Sequence, residues 1–227
     1  MIISGTRLVG GRYETNGMVT AGLTMWLDAG NASSYPGSGT TWTDLSGSGN
    51  NAVLTGTTPW TSAGDLSYFT FNNGAGYAQG GYFLPNTTYT KVAIFRVAGS
   101  YVNLISGDDS SQHAFWGGAT AYLRAGHNGA WSTIVSPTIT PTNQWVFGAV
   151  SFSSTSGWRL YLNGAVVATN GSTTQFAPNP ARVQIGAYNG NGNNLNGDMS
   201  VALVYNRVLS DGEITQLYNL YHTRFGL

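Results

Sequence analysis

The chain has 227 residues, nine of them basic and nine acidic, and its charged residues make up 8% of the total against about 25% in an average soluble domain. This sparse and balanced charge offers no field for phosphate backbones or anionic lipids. A hydrophobic content of 41% argues against disorder, and there is no cysteine for disulfides or thiolate zinc ligation. No apolar run approaches the roughly 18 residues of a membrane span. We therefore expect one globular domain with a sizeable core.

Residues 1–21 differ from the rest of the chain. They include Gly10-Gly11, few large apolar residues and no hydrophobic period, and they lack the basic and then apolar run of a signal peptide. Such a composition is typical of a frayed terminus or of an extended arm ordered by a partner. We predict an N-terminal arm at 1–21 and a single domain at 22–227.

The domain opens with alternating apolar and polar residues over 23–27, which predicts a half-buried strand. A long loop follows, and residues 44–51 within it read Asp-Leu-Ser-Gly-Ser-Gly-Asn-Asn. We expect Asp28 to brace the loop that it enters. We expect Asp44 to accept backbone N–H groups of the Ser-Gly turn after it.

Short strand candidates separated by Gly, Asn, Ser or Pro clusters occupy the middle of the chain, a pattern typical of β-sandwiches. Asn163-Gly164 lies between two apolar runs and predicts a β-hairpin. The strand candidates are 66–71, 91–98, 102–106, 114–116, 122–127, 145–152, 158–163, 166–169 and 183–187.

The chain ends with a strand that leads directly into a helix. Residues 199–205 are rich in β-branched and aromatic side chains. Ser210 and Glu213 have the spacing of a capping box, in which each side chain accepts a backbone N–H of the first helical turn. Apolar residues then recur at helical spacing from Ile214 to Tyr221, which predicts a short amphipathic helix.

This ending, the Asn163-Gly164 hairpin and the strand at 182–186 stand in the order found in laminin-G-like, concanavalin-A-like domains, and the chain resembles that family over 23–221. Residues 25–31 and 34–47 also resemble the opening of laminin-G-like domains in structural proteins of tailed bacteriophages. The resemblance implies an all-β fold, a two-sheet antiparallel jelly-roll sandwich with a short C-terminal helix and an extended N-terminal arm.

Related glucanases suggest glycoside hydrolysis as one activity, which needs two carboxylates about 5–9.5 Å apart. The only glutamates are Glu14 in the arm and Glu213 in the capping box, and the glucanase motif Glu-x-Asp-x-x-Glu is absent. Asp108-Asp109 is the only adjacent carboxylate pair, and neighbours on a strand point to opposite faces. No Gly-x-Ser-x-Gly elbow accompanies the three histidines. We therefore expect no enzymatic activity.

Many domains of this superfamily bind calcium at the rim of the sandwich, and Ca²⁺ takes six to eight oxygen ligands. No spacing here matches a calcium loop, and Asp198 after Asn196-Gly197 more simply caps a turn. No other cofactor is expected. The candidate metal ligands are Asp44, Asn50, Asp108 and Asp109.

Lectin sites combine aromatic rings that stack on sugars with polar groups that hydrogen-bond the hydroxyls. The segments 72–77 and 188–194 carry this chemistry, although Asn and Gly also serve ordinary loops because they tolerate positive φ. Trp60, Trp116 and Trp131 could stack on a sugar or belong to the core. The candidate glycan-binding residues are Tyr77, Tyr188, Asn189, Asn191 and Asn193.

These features predict a non-enzymatic phage virion structural protein, such as a capsid decoration, fibre or tail-associated protein, that displays a lectin-like jelly roll able to contact glycans. Residues 1–21 would attach it to other capsid or tail proteins during assembly in the host cytoplasm, and a homo-oligomer such as a trimer would suit that place on the virion surface. Neither nucleic acid nor membrane is an expected partner. The alternatives are a free-standing carbohydrate-binding lectin and a glycan hydrolase.

Overall fold

A computed structural model describes residues 8–9, 12–13, 17–72, 74–85, 87–98, 102–108, 113–118, 121–127, 129–174, 182–188 and 194–227. These residues form strands and one C-terminal helix, α1 (Asp211–Phe225). The strands are β1 (Leu8–Val9), β2 (Arg12–Tyr13), β3 (Leu23–Asp28), β4 (Thr41–Trp42), β5 (Ala52–Gly56), β6 (Trp60–Thr61), β7 (Tyr68–Asn72), β8 (Gly76–Tyr82), β9 (Thr88–Val97), β10 (Val102–Asn103), β11 (Ile105–Gly107), β12 (Ala114–Gly118), β13 (Ala121–His127), β14 (Ala130–Ile139), β15 (Trp145–Ser153), β16 (Gly157–Leu162), β17 (Ala165–Asn170), β18 (Arg182–Ile185) and β19 (Asn196–Tyr205).

Two layers of antiparallel strands face each other. The first layer is an eight-stranded sheet in the order β17-β16-β15-β9-β19-β7-β6, with β3 also paired to β19. The second layer comprises a five-stranded sheet, β11-β18-β8-β5-β4, and a four-stranded sheet, β10-β12-β13-β14. Leu104 joins these two sheets, because its N–H donates to Phe115 (2.9 Å) and its carbonyl accepts from Gly186 (3.0 Å). The predicted antiparallel jelly-roll sandwich is confirmed.

The apolar core lies between the layers and is built by the alternation of each strand. On β9, Tyr89, Ala93 and Phe95 belong to the cluster between the layers. Val92 and Ile94 belong instead to a second cluster on the other side of the eight-stranded sheet. Because successive side chains of a strand point to opposite faces, one sheet serves two apolar clusters.

Helix α1 covers the outer face of the eight-stranded sheet, where Ile214, Leu217 and Tyr221 complete the second cluster. The Ser210 hydroxyl accepts the Glu213 N–H, and the Glu213 carboxylate accepts the Ser210 N–H, so the predicted capping box is confirmed. Within the described residues, no helix is both long and apolar enough to cross a membrane.

A buried ion pair fastens the last turn of α1 to the end of β3. Arg224 donates to both carboxylate oxygens of Asp28, at 2.6 and 2.7 Å, and the two side chains are 4% and 3% exposed. The guanidinium also donates to the Asp65 carbonyl and to Ser200 Oγ. A Cβ at Gly30 would collide with it, so only glycine leaves room for the arginine here. Asp28 does brace its loop by accepting the Gly30 N–H.

The domain begins earlier than the predicted boundary at residue 22. Met18 and Val19 are 7% and 6% exposed and belong to the cluster beneath α1. Gln216 on the helix donates to the Gly17 carbonyl at 3.0 Å. Residues 17–21 therefore belong to the domain, because they complete its apolar cluster. Within the rest of the predicted arm, β1 and β2 pair as a short antiparallel ladder.

Candidate functional site

Of the predicted metal ligands that the structure describes, Asp44 and Asn50 lie in one loop, and Asp108 lies apart from them. Asp44 follows β4 and Asp108 follows β11, and these strands are the opposite edges of the five-stranded sheet, about 19 Å apart at the usual strand spacing. Asp108 accepts the backbone N–H of Arg182, its cross-sheet neighbour, at 2.8 Å. Asp109 lies outside the described residues, among which no cluster of three His, Asp or Glu side chains could hold a metal. The structure therefore does not bring Asp44 and Asp108 together, and calcium binding stays a prediction.

Asp44 organises its own loop, as predicted. Its carboxylate accepts the backbone N–H groups of Trp26 (2.8 Å), Ser46 (2.9 Å) and Asn50 (2.9 Å), as well as the Ser46 hydroxyl. Asn50 in turn donates its side-chain amide to the Thr24 carbonyl. These hydrogen bonds occupy both oxygens of Asp44, so the described contacts give this carboxylate a structural role.

The Glu213 carboxylate is engaged by residues of the protein itself. Its carboxylate pairs with Arg207 at 2.6 Å, in addition to its capping bonds with Ser210. The hydrogen bond from Arg207 is the main reason that the pKa of Glu213 falls to about 2. Such a group stays ionised near neutral pH and is poorly matched to donate a proton there. Glu14 lies outside the described residues.

A cluster of titratable side chains lies sealed inside the core. Lys91 is fully buried on β9 and donates to the carbonyls of Ile105 (2.9 Å) and His113 (3.0 Å). His113 is fully buried and His127 is 3% exposed. Burial is the main cause that lowers the pKa of Lys91 and of both histidines, and the charge of Lys91 lowers the histidine pKa values further. Because these side chains are buried, a ligand can reach them only if the fold opens.

A group of aromatic side chains lies on the outer face of the four-stranded sheet, away from the core. On its strands, Phe115, Leu123 and Ile134 point inward and are at most 2% exposed. The residues between them are half-buried on the opposite face. We call the following residues, together with the neighbouring tyrosine after β18, the aromatic face: Trp116, Tyr122, Arg124, Trp131 and Tyr188.

Specific contacts hold the aromatic face together. Trp116 Nε1 donates to the backbone carbonyl of Trp131 at 2.8 Å, which fixes the plane of the Trp116 indole. The Arg124 guanidinium lies 5.0 Å from the Trp116 ring centre and 6.0 Å from that of Tyr122. The rings of Trp131 and Tyr188 meet edge to face, 5.3 Å apart. These contacts orient the rings before any ligand binds.

The aromatic face is open to solvent along β14. Val135 is paired with Arg124 and is 38% exposed, and Ile139 is paired with Tyr122 and is 54% exposed. Large apolar side chains that remain this exposed beside half-buried rings are typical of a binding surface. The arrangement offers flat apolar rings for stacking and N–H and O–H groups for hydrogen bonding.

Two of the predicted glycan residues lie at the same end of neighbouring strands. Tyr188 follows β18, and Tyr77 lies on β8, where Ile185 pairs with Ala78. The side-chain amide of Asn194 lies 3.5 Å from the Gly76 carbonyl and links the two segments. Tyr77 is half-buried on the side opposite the buried Ala78.

The prediction of a loop over 72–77 needs correction, because β8 begins at Gly76 and places Tyr77 on a strand. Pairing with β5 and β18 stabilises this glycine-rich segment as a strand. Asn189, Asn191 and Asn193 lie outside the described residues.

A row of polar side chains connects the strand of Tyr77 to the aromatic face. Gln79 pairs with Gln184, and Gln184 pairs with Ser106. The Ser106 hydroxyl donates to Asn103 Oδ1 at 2.9 Å, and Asn103 pairs with Trp116. Gln184, Ser106 and Asn103 are buried, at 0%, 0% and 6% exposure, so a covered row of polar side chains lies between β8 and the aromatic face.

The sequence did not decide whether Trp116, Trp131 and Trp60 stack on a sugar or belong to the core. Arg124 was not among the predicted site residues. Trp60 lies elsewhere, with its Nε1 donating to the Ala29 carbonyl and its ring 5.6 Å from that of Tyr35. The signal for Arg124 was its alternation with apolar neighbours on β13, which places it outward. That alternation could not show which rings would surround it.

Structures solved for other proteins share this fold. Domain 4 of an extracellular arabinanase from Geobacillus stearothermophilus, in complex with arabinotriose, has a TM-score of 0.68 at 17% identity, covering 87% of this chain and 98% of that one. Trypanosoma rangeli sialidase in complex with sialic acid has a TM-score of 0.67 at 17% identity, covering 97% of this chain but 36% of the sialidase. The binding domain of botulinum neurotoxin DC in complex with rat synaptotagmin II has a TM-score of 0.65 at 13% identity, covering 88% of this chain and 52% of that one.

Likenesses at such low identity show the fold alone, and no curated protein matches the chain in sequence. The family model described as the concanavalin A-like lectin/glucanases superfamily matches residues 83–215, which is more than half of the chain. That segment contains both the Asn163-Gly164 hairpin and the start of α1. The chain therefore belongs to the concanavalin A-like lectin/glucanase superfamily.

Proposed function

We propose that this chain is a non-enzymatic carbohydrate-binding domain and that the aromatic face is its site. The observation that carries the proposal is the convergence of Trp116, Trp131 and Tyr188 on an open sheet surface, with their orientations set by direct contacts. Aromatic rings expose flat apolar surface at little conformational cost, which suits stacking on a sugar ring. The Tyr122 hydroxyl and the Arg124 guanidinium belong to the same face and can hydrogen-bond sugar hydroxyls.

Two relatives in fold support a sugar as the ligand. The arabinanase domain, nearly all of which aligns with this chain, was solved with arabinotriose. The sialidase was solved with sialic acid, although this chain spans only about a third of it. The absence of enzymatic activity is also part of the proposal. It is supported by the engagement of Glu213 with Arg207 and by the residues that form the aromatic face in the described part of the chain, none of which is a carboxylate.

Replacing Trp131 with alanine should weaken glycan binding by about fivefold or more, because it removes a stacking surface worth roughly 1 kcal/mol or more. The bond from Trp116 uses the Trp131 backbone carbonyl and survives this change. A glycan array would identify a bound sugar, and isothermal titration calorimetry would then compare its affinity for the two proteins.

Tyr68→Ala provides a matched control, because Tyr68 is a half-buried aromatic residue on the eight-stranded sheet, against Trp145. It should leave glycan affinity unchanged. An affinity that is unaffected by both Trp131→Ala and Tyr188→Ala would contradict the site. Release of reducing sugar by the purified chain would contradict the non-enzymatic assignment.

The setting that we propose for this domain is the surface of a phage particle, as a capsid or tail protein. The support is the resemblance of residues 25–47 to the opening of phage structural proteins. The segment before the domain would provide the attachment, and a homo-oligomer would present several aromatic faces at once, which raises avidity.

Deleting residues 1–16 should abolish incorporation into particles and leave the fold intact, because the buried Met18 and Val19 are retained. Mass spectrometry of purified particles would measure incorporation, and circular dichroism would verify the fold. Normal incorporation of the shortened chain would contradict attachment through this segment.

A further inference from the structure

Among the charged side chains that the structure describes, one solvent-facing arginine has no carboxylate within 4.0 Å. All but two of the lysine and arginine side chains that the structure describes lie within 4.0 Å of a carboxylate. Of the two exceptions, Lys91 is fully buried and donates to backbone carbonyls. The other is Arg124, at the centre of the aromatic face. The paired arginines are Arg96 with Asp198, Arg159 with Asp211, Arg182 with Asp108, Arg207 with Glu213, and Arg224 with Asp28.

Arg124 makes cation–π contacts and uses few of its hydrogen-bond donors. Its guanidinium lies over Trp116, and its contact with Ser132 Oγ is a long 3.4 Å. Its Nε is buried and has no hydrogen-bond partner among the described residues. A cation–π contact uses no N–H donor, so the terminal N–H groups of Arg124, apart from the long contact with Ser132, stay available to an acceptor within the described residues.

We propose that the aromatic face binds acidic glycans and that Arg124 pairs with a sugar carboxylate. The inference rests on the proposed function and narrows it from sugars in general to carboxylate-bearing ones such as uronic or sialic acids. A guanidinium fork matches a carboxylate through two parallel N–H···O bonds. The sugar ring that carries the carboxylate then stacks on the Trp131 and Tyr188 side of the face. The chain has no net charge, so the recognition is local.

The test uses an array of matched glycans, in which each uronate or sialate glycan is printed beside its methyl ester and beside a sulfated glycan. Esterification keeps the ring and removes the charge. We expect binding to the free acids to exceed binding to their esters by about tenfold or more, as a charge-assisted hydrogen bond predicts. Arg124→Gln should reduce binding of the acids to the level of the esters. Arg124→Lys, which keeps the charge without the fork, should be intermediate.

Arg159→Gln is the matched control, because it removes an exposed arginine elsewhere, and it should leave the acid-to-ester ratio unchanged. Thermal melting would verify that each variant is folded. Binding of esters or neutral glycans as tight as that of acids, with no effect of Arg124→Gln, would overturn the inference and leave the proposed function standing. Preference for sulfated over carboxylated glycans would overturn the carboxylate assignment. Binding to no glycan would overturn both proposals.

Discussion

Replacing Asp28 with alanine should lower the free energy of unfolding by about 3–5 kcal/mol, the usual cost of removing one partner of a buried ion pair. The Arg224 guanidinium would remain buried at 4% exposure without its counter-charge. The Gly30 N–H would also lose its acceptor. In a chain of this size such a loss lowers the melting temperature by roughly 6–20 °C, which calorimetry would measure together with urea unfolding.

Arg159→Gln is again a suitable control. Arg159 also contacts both carboxylate oxygens of its partner, Asp211. The two side chains are 49% and 55% exposed, so loss of this pair should cost less than about 1 kcal/mol. Adding Arg224→Met to Asp28→Ala should recover stability relative to Asp28→Ala alone, because no unpaired charge then stays buried. Equal losses for Asp28→Ala and Arg159→Gln would contradict the role assigned to the buried pair.

Acidification from pH 7.5 to 5.0 should destabilise the domain through His113, by at most about 2 kcal/mol for one histidine whose unfolded pKa is near 6.5. Burial lowers the pKa of His113 well below its usual value, and Lys91 and His127 lower it further, against a raising effect of the Pro85 carbonyl. In the unfolded chain this histidine takes up a proton near pH 6.5, whereas in the fold it stays neutral. The unfolded state thus binds more protons below pH 6.5, so stability falls as the pH falls.

His127 and Lys91, the other buried titratable groups of this cluster, make stability depend on pH in the same direction as His113. The pKa of His127 is lowered by burial and by Lys91, against a raising effect of the Thr174 carbonyl, so His127 adds to the loss below pH 6.5. The pKa of Lys91 is also lowered by burial. The unfolded lysine therefore holds its proton at pH values where the folded one has released it. Its contribution to stability rises with pH through that window.

Urea unfolding at several pH values would measure this dependence. His113→Asn should flatten it between pH 7.5 and 5.0, and asparagine tolerates the positive φ of 52° at this position. His222→Gln, on the last turn of α1, should leave the dependence in place. An unchanged slope in His113→Asn would show that the acid sensitivity arises elsewhere.

Local features were predictable from sequence because their partners are close in the chain. The capping box joins residues three apart, Ser210 and Glu213. The hairpin turn depends on Asn163 and Gly164, whose φ angles of 46° and 80° are both positive, as such a tight turn requires. By contrast β14, which contains serine, threonine and proline, was not predicted, because its strand form depends on pairing with β13 more than on its own propensity.

The candidate site was predicted only in fragments. Tyr188 was recognised for its aromatic and asparagine-rich surroundings, and its position beside Trp131 depends on how β14 and the end of β18 pack. The separation of Asp44 from Asp108 follows from strand order, which spacing in the sequence does not contain.

Composition, alternation and turn residues thus determined the all-β class, the Asn163-Gly164 hairpin and the terminal helix with its cap. Those are one-dimensional properties, set by steric and hydrogen-bonding rules over a few residues. The tertiary structure alone decided which outward side chains became neighbours and which charges found partners. Asp28 meets Arg224 across 196 positions of sequence, whereas Arg124 meets only rings and a hydroxyl among the described residues. Such partners depend on how whole layers pack. Burial of apolar surface determines that packing, and the packing determines which polar groups become neighbours.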